Sequence, residues 1–180
     1  MKLREQKGFT LIEVIVVAGI IAILAGILVP LIFKEIDESK ITRASADVKS
    51  ISAAMLVFKK DTGAWPMMDG GCAPNVTFLS GSGNLPADLA AMGYDTGVAS
   101  SYDSHLSTDV GGCYTNWKGS YMAVVAKDPW GNSYVTNANA FAVAGQPVWI
   151  ISAGPNGILE TPTNSAAVAD GIDDVGVRIK

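Results

Sequence analysis

Charge is what the first part of this chain lacks. Between Lys7 and Lys34 the only ionisable side chain is Glu13. Metal-ligating residues are also scarce: the chain holds one histidine, His105, and two cysteines, Cys72 and Cys113. That set cannot build a four-ligand zinc site without several carboxylates, so zinc is not expected. Basic residues number 13 against 17 acidic ones, for a net charge of −4. Three of the basic residues, Lys2, Arg4 and Lys7, crowd the N-terminus, and the remainder is acidic with no basic cluster. Such a balance argues against a nucleic-acid partner and leaves carboxylates for a hard cation.

What is present is a basic leader followed by an apolar run. Residues 9–33 as one helix would extend about 37 Å, enough to cross a hydrocarbon core of ~30 Å. A secretory signal would carry a shorter apolar core with small residues after it, whereas here Gly8 comes before the run. A plain signal anchor suits the length and the basic flank but not Glu13, since a carboxylate deep in hydrocarbon costs about 2.5–3.5 kcal/mol on insertion scales. A third reading gives the carboxylate a partner. Cleavage after Gly8 would leave Phe9 as a new N-terminus, and its α-ammonium and Glu13 would offset each other's burial. Phe9 and Glu13 are four residues apart on one helical face, and a pair formed between chains would also set the register of an incoming subunit.

The string Lys7-Gly8-Phe9-Thr10-Leu11-Ile12-Glu13 resembles the class III signal of the type IV pilin-like family, shared by type IV pilins and the pseudopilins of type II secretion. The resemblance implies a prepilin peptidase that cleaves after Gly8 and methylates Phe9, with Glu13 pairing to a neighbouring subunit. It also implies a homo-oligomeric filament, an inner-membrane assembly platform and minor pseudopilins or pilins as partners. The chain would cross the inner membrane once, be held in lipid before assembly, and carry its head in the periplasm.

The expected fold is α+β: a long N-terminal helix, half membrane-spanning and half amphipathic, packed on a small antiparallel sheet. Expected segments are a leader at 1–8, a transmembrane and polymerisation helix at 9–33, an amphipathic stalk at 34–60, a variable loop-rich region at 61–118, and a sheet with an acidic C-terminal loop at 119–180. Ile41, Ala44, Val48, Ile51, Met55 and Phe58 recur at spacings of three and four, one apolar stripe for the sheet to cover. The helix should end near Asp61-Thr62-Gly63, and Gly26 to Pro30 is a candidate hinge. Strands are expected at Ser120–Ala126, Ser133–Thr136 and Val148–Ser152, making a sheet of three or four, with a helix at Pro86–Met92.

The two cysteines lie 41 positions apart in the head. An exported head favours a disulfide between Cys72 and Cys113; two buried free thiols are the alternative. Near the C-terminus, Asp170, Asp173 and Asp174 cluster beside glycine-rich turns. Calcium, which takes six to eight oxygens including backbone carbonyls, suits such loops; a solvated acidic loop is the alternative. The succession Asp128-Pro129-Trp130-Gly131-Asn132, Ser152-Ala153-Gly154-Pro155-Asn156-Gly157 and Asp173-Asp174-Val175 is similar to the major pseudopilins, whose C-terminal loop binds calcium. The resemblance implies Asp173 and Asp174 as side-chain ligands, with Asn156 where aspartate is usual and Asp170 or Glu160 supplying the missing charge. The segment from Ile158 to Ala169 is longer than the family's.

Two structural roles and one catalytic role are therefore weighed. The Asp-Pro-Trp-Gly-Asn and acidic signatures favour a secretion pseudopilin, and the long middle with its cysteine pair favours a surface pilin for adhesion, motility or DNA uptake. Asp103, Ser104 and His105 are sequence neighbours, which seldom have triad geometry, so no enzyme is expected and His105 is expected to be solvated.

Overall fold

The computed structural model describes residues 8–180, so the leader up to Lys7 lies outside the described residues. The chain divides into a unit ending at Ser39 and a second unit, Lys40–Lys180.

The first unit belongs to helix α1, Leu11–Thr62, which runs unbroken through Gly26 and Pro30. The candidate hinge is thus helical here. A transmembrane helix tolerates proline where neighbouring groups or small local adjustments re-satisfy the freed carbonyl. Every residue from Gly8 to Ser39 is exposed, and Phe9 is 88% exposed. Among the described residues, α1 is the one helix long and apolar enough to cross a membrane, and its apolar window buries nothing within the chain.

In the second unit α1 turns amphipathic. Ala44, Val48, Ile51, Met55 and Phe58 are buried, as their spacing predicts, but Ile41 is 45% exposed. The core cluster reaches Val48 on this helix and Ala44 is the first buried position, so Ile41 has no layer over it. Gly63 ends the helix at φ +74°, a left-handed backbone that costs glycine little.

The sheet has five strands rather than three or four: β1 (Phe78–Ser80), β2 (Ala99–Ser101), β3 (Val135–Thr136), β4 (Trp149–Ser152) and β5 (Val175–Arg178), in the order β2-β1-β3-β4-β5. Three pairings are antiparallel, while β1 and β2 run parallel with Phe78 opposite Ala99. Ser120–Ala126 forms no strand. Its backbone groups are taken elsewhere: the Tyr121 and Met122 amides donate to the Leu106 carbonyl, and the Val125 amide donates to the Asp103 carboxylate. Pro86–Met92 is a series of turns, because Asp88 sits at φ +61° and breaks the expected helix.

Alternation along the strands divides the core. Leu79, Tyr134 and Ile150 join Val48, Ile51, Met55 and Phe58 of α1 in one cluster. Phe78, Val135 and Ile151 point the other way and pack with Leu89, Tyr94 and Leu159. Both sheet faces are therefore covered, the second by the 86–94 turns and the segment after Gly157. Three backbone bonds bind these two together: Ala87 N–H to the Gly157 carbonyl at 2.9 Å, Leu159 N–H to the Ala87 carbonyl at 3.1 Å, and Thr163 N–H to the Met92 carbonyl at 2.9 Å.

Candidate functional site

Two regions carry the sequence-predicted residues. At the start of α1, the Thr10 amide and hydroxyl both donate to Glu13 Oε2, at 2.8 and 2.7 Å, and the Glu13 amide donates back to the Thr10 hydroxyl at 3.3 Å. This is a capping box: threonine satisfies an orphan amide of the first turn, and glutamate reaches back to the cap. Phe9, Glu13, Val14, Val17, Ala18 and Ile21 line one exposed groove, so Phe9 and the carboxylate share a face. Thr10 was not among the sequence candidates. Its signal was present, a threonine three residues before the acid at the head of an apolar run.

The acidic loop is the second region. It begins at Gly154, whose φ of +64° and close approach to the backbone of Asp173 leave no room for a Cβ. The Asn156 amide donates to Asp173 Oδ2 at 3.1 Å. The amides of Glu160 and Thr161 donate to Asp174 Oδ2 at 3.0 and 2.6 Å. The second oxygen of each carboxylate, Asp173 Oδ1 and Asp174 Oδ1, is buried with no hydrogen-bond partner. Asp174 is only 6% exposed. Its burial raises the carboxyl above the usual range, and the neighbouring Asp173 charge adds to that against the hydrogen bonds from Thr161 and Glu160.

The other expected ligands stand differently. The Asn156 side chain accepts from the Ile158 amide at 2.6 Å and so closes its own turn. Asp170 is exposed, and Glu160 offers Asp174 its amide rather than its carboxylate. Among the described residues no three acidic, histidine or cysteine side chains converge as a metal would need. The loop instead holds two buried, unpartnered carboxylate oxygens on adjacent residues of irregular backbone, at a cost of roughly 1–3 kcal/mol per orphan acceptor, more when charged. A hard cation that also accepts carbonyl and water oxygens fits this donor set.

The remaining candidates have structural surroundings. Cys72 and Cys113 form a disulfide with Cα atoms 5.1 Å apart. His105 is fully buried rather than solvated, in the short helix α2, Tyr102–Leu106. Its Nδ1 lies 2.7 Å from the Tyr114 hydroxyl and its Nε2 3.0 Å from the Ser100 hydroxyl. The Tyr114 oxygen also accepts from the Met68 amide at 3.1 Å, so both ring nitrogens of His105 are engaged by hydroxyls inside the head. Ser104 instead donates its amide to the side chain of Ser101, the N-cap of α2, and the Asp103 carboxylate serves Val125, so these neighbours form no triad.

Comparison with known proteins places these features. The "Prokaryotic N-terminal methylation motif" description matches residues 3–29, and "Type II secretion system (T2SS), protein G" matches residues 103–170. A type II secretion system core protein G of Pseudomonas aeruginosa is 32% identical over 135 residues, 74% of this chain and 75% of the relative. The chain belongs to the type II secretion core protein G family. The core protein G of Vibrio cholerae is 29% identical over 133 residues, 74% of this chain and 71% of that one. That of Escherichia coli is 27% identical over 158 residues, 87% of each. No solved structure matches the chain. In this chain the methylation-motif match spans Gly8, Phe9 and Glu13, while the protein G match ends just short of Asp173 and Asp174.

Proposed function

We propose that this chain is a structural subunit of a periplasmic helical filament, the pseudopilus, that supports protein export by a type II secretion system. The observation that carries this reading is the apolar arm of α1, wholly exposed within its own chain and marked by one carboxylate on the Phe9 face. An arm of this kind has two environments that satisfy it: a bilayer, and a bundle of identical arms. The leader is cut after Gly8 by the prepilin peptidase, Phe9 is N-methylated, and its ammonium pairs with Glu13 of a neighbouring copy. The pair neutralises two groups that are costly separately in hydrocarbon, and so draws the subunit out of the inner membrane into the filament. The assembly platform and minor pseudopilins are the expected partners, and no catalytic step is assigned.

The acidic loop is proposed to hold calcium, with Asp173 Oδ1 and Asp174 Oδ1 as side-chain ligands. A bound divalent cation supplies the charge that these two buried oxygens lack, and fastens the C-terminal loop to β5. Mass spectrometry of the native protein, with electron microscopy of cells labelled for it, tests the filament reading. The expected result is a mature chain starting at methylated Phe9 and label confined to short periplasmic structures. An intact N-terminus would overturn the assembly mechanism, and long labelled surface fibres would favour a type IV pilin.

A further inference from the structure

The turn at Asp128–Asn132 and the loop at Ser152–Gly157 meet through side chains 24 residues apart in sequence. Asp128 is 3% exposed. Its Oδ1 accepts from the amides of Trp130 and Asn132, at 3.0 and 2.7 Å, which fixes the carboxylate on its own turn. Its Oδ2 accepts from the Ser152 hydroxyl at 2.6 Å. With its proton committed to Asp128, the Ser152 oxygen accepts from the Gly154 amide at 3.1 Å. Gly154 is the residue held against the Asp173 backbone, where any side chain would overlap it. Asp173 in turn spends Oδ2 on the Asn156 amide and is left with Oδ1 buried and unpartnered.

The direction of this relay depends on chemistry and not only on shape. An ionised carboxylate can only accept, so it fixes which way the Ser152 hydroxyl points and therefore which lone pair faces Gly154. An amide at position 128 could present N–H to the serine oxygen and reverse the bond.

We propose that Asp128, acting through the Ser152 hydroxyl, is a positioning residue for the acidic loop, holding Gly154 against Asp173 so that the free oxygens of Asp173 and Asp174 are set before a divalent cation arrives. The inference rests on the calcium reading above. Residues that orient ligands in this way commonly carry 10–100-fold in metal affinity.

The test is calcium titration by calorimetry on the full chain in detergent micelles, at a temperature where each variant is folded. Ser152→Ala, Ser152→Cys, Asp128→Asn, the Asp128→Asn/Ser152→Ala double variant and Asp173→Ala are compared with the parent. Each single relay variant should bind calcium about tenfold or more weakly, and the double variant no more weakly than the worse single. Ser152→Cys keeps the volume with a poor donor, so it reports the relay if Asp128→Asn fails to fold. Parent-like affinity in Ser152→Ala or Ser152→Cys, with Asp173→Ala losing calcium, would overturn the relay and leave the metal reading standing. Additive losses in the double variant would likewise overturn it, since separate structural damage adds where a shared relay does not. A parent chain with no saturable calcium binding would overturn both.

Discussion

The hydroxyl of Thr10 donates to the carboxylate of Glu13 at 2.7 Å, and the Glu13 amide returns a bond to the same hydroxyl. In the single chain, then, the one carboxylate of the apolar arm is the partner of an N-terminal cap. The task proposed for it in assembly, meeting a neighbour's ammonium, can only begin once another copy is present.

The two tasks separate by mutation. Thr10→Ala removes the cap and should cost the helix start about 1 kcal/mol, with self-association largely kept. Glu13→Ala loses the cap's partner and also the charge. Membrane fractionation should show both variants inserted, while the cross-linked ladder should collapse for Glu13→Ala. An undiminished ladder in that variant would count against the pairing of Glu13 with a neighbour.

The acidic loop gives a second prediction. Asp173→Ala together with Asp174→Ala removes both orphan oxygens. The parent should melt higher with calcium than with chelator, by an increment that grows with the excess of ligand over its Kd. The double variant should show no increment. Equal calcium-dependent shifts in scanning calorimetry would remove these residues from the site.

His105 predicts a pH dependence. Burial lowers its pKa from 6.5 to about 4. A base whose folded pKa is depressed takes up its proton in the unfolded chain first. Its contribution to stability is therefore present above pH 6.5 and is lost as pH falls toward 4, by an amount of a few kcal/mol at most. Thermal melts between these values should steepen in the parent, and His105→Gln should flatten that part of the profile. An unchanged slope would show that another group titrates.

The disulfide predicts a redox effect. Cys72 and Cys113 enclose a loop with a sequence separation of 41. Opening a loop of that size removes roughly 2–4 kcal/mol in the chain-entropy view. Cys72→Ser with Cys113→Ser, or reductant on the parent, should lower the melting temperature to the same value. A reductant effect that persists in the double variant would point to something other than this bond.

What the sequence made legible follows periodicity and short-range chemistry. The arm, its end near Gly63 and the buried stripe from Ala44 to Phe58 come from spacings of three and four, which one helix imposes locally. The strands at Val135–Thr136 and Trp149–Ser152 lie inside the runs that β-type residues marked. Ser120–Ala126 misled because its strand-like residues are fastened by distant partners, Leu106 and Asp103, and sequence shows no such partner. The edge strand β5 was missed since Val175-Gly176-Val177-Arg178 is short and its glycine weakens the pattern, although alternation was there to read. At the acidic loop, composition picked out Asp173 and Asp174. Which oxygen each keeps free is decided by amides from Asn156, Glu160 and Thr161, a matter of tertiary placement.

The covering of the second sheet face has a practical consequence for hybrid proteins. Leu89 and Tyr94 on one segment and Leu159 on another share a single apolar cluster. A chimera that imports residues 84–94 from a relative while keeping the native 157–168 would strand Leu159 against a foreign surface. Transplanting both stretches together moves a matched layer, so they should be treated as one cassette when grafting epitopes or tags into this head.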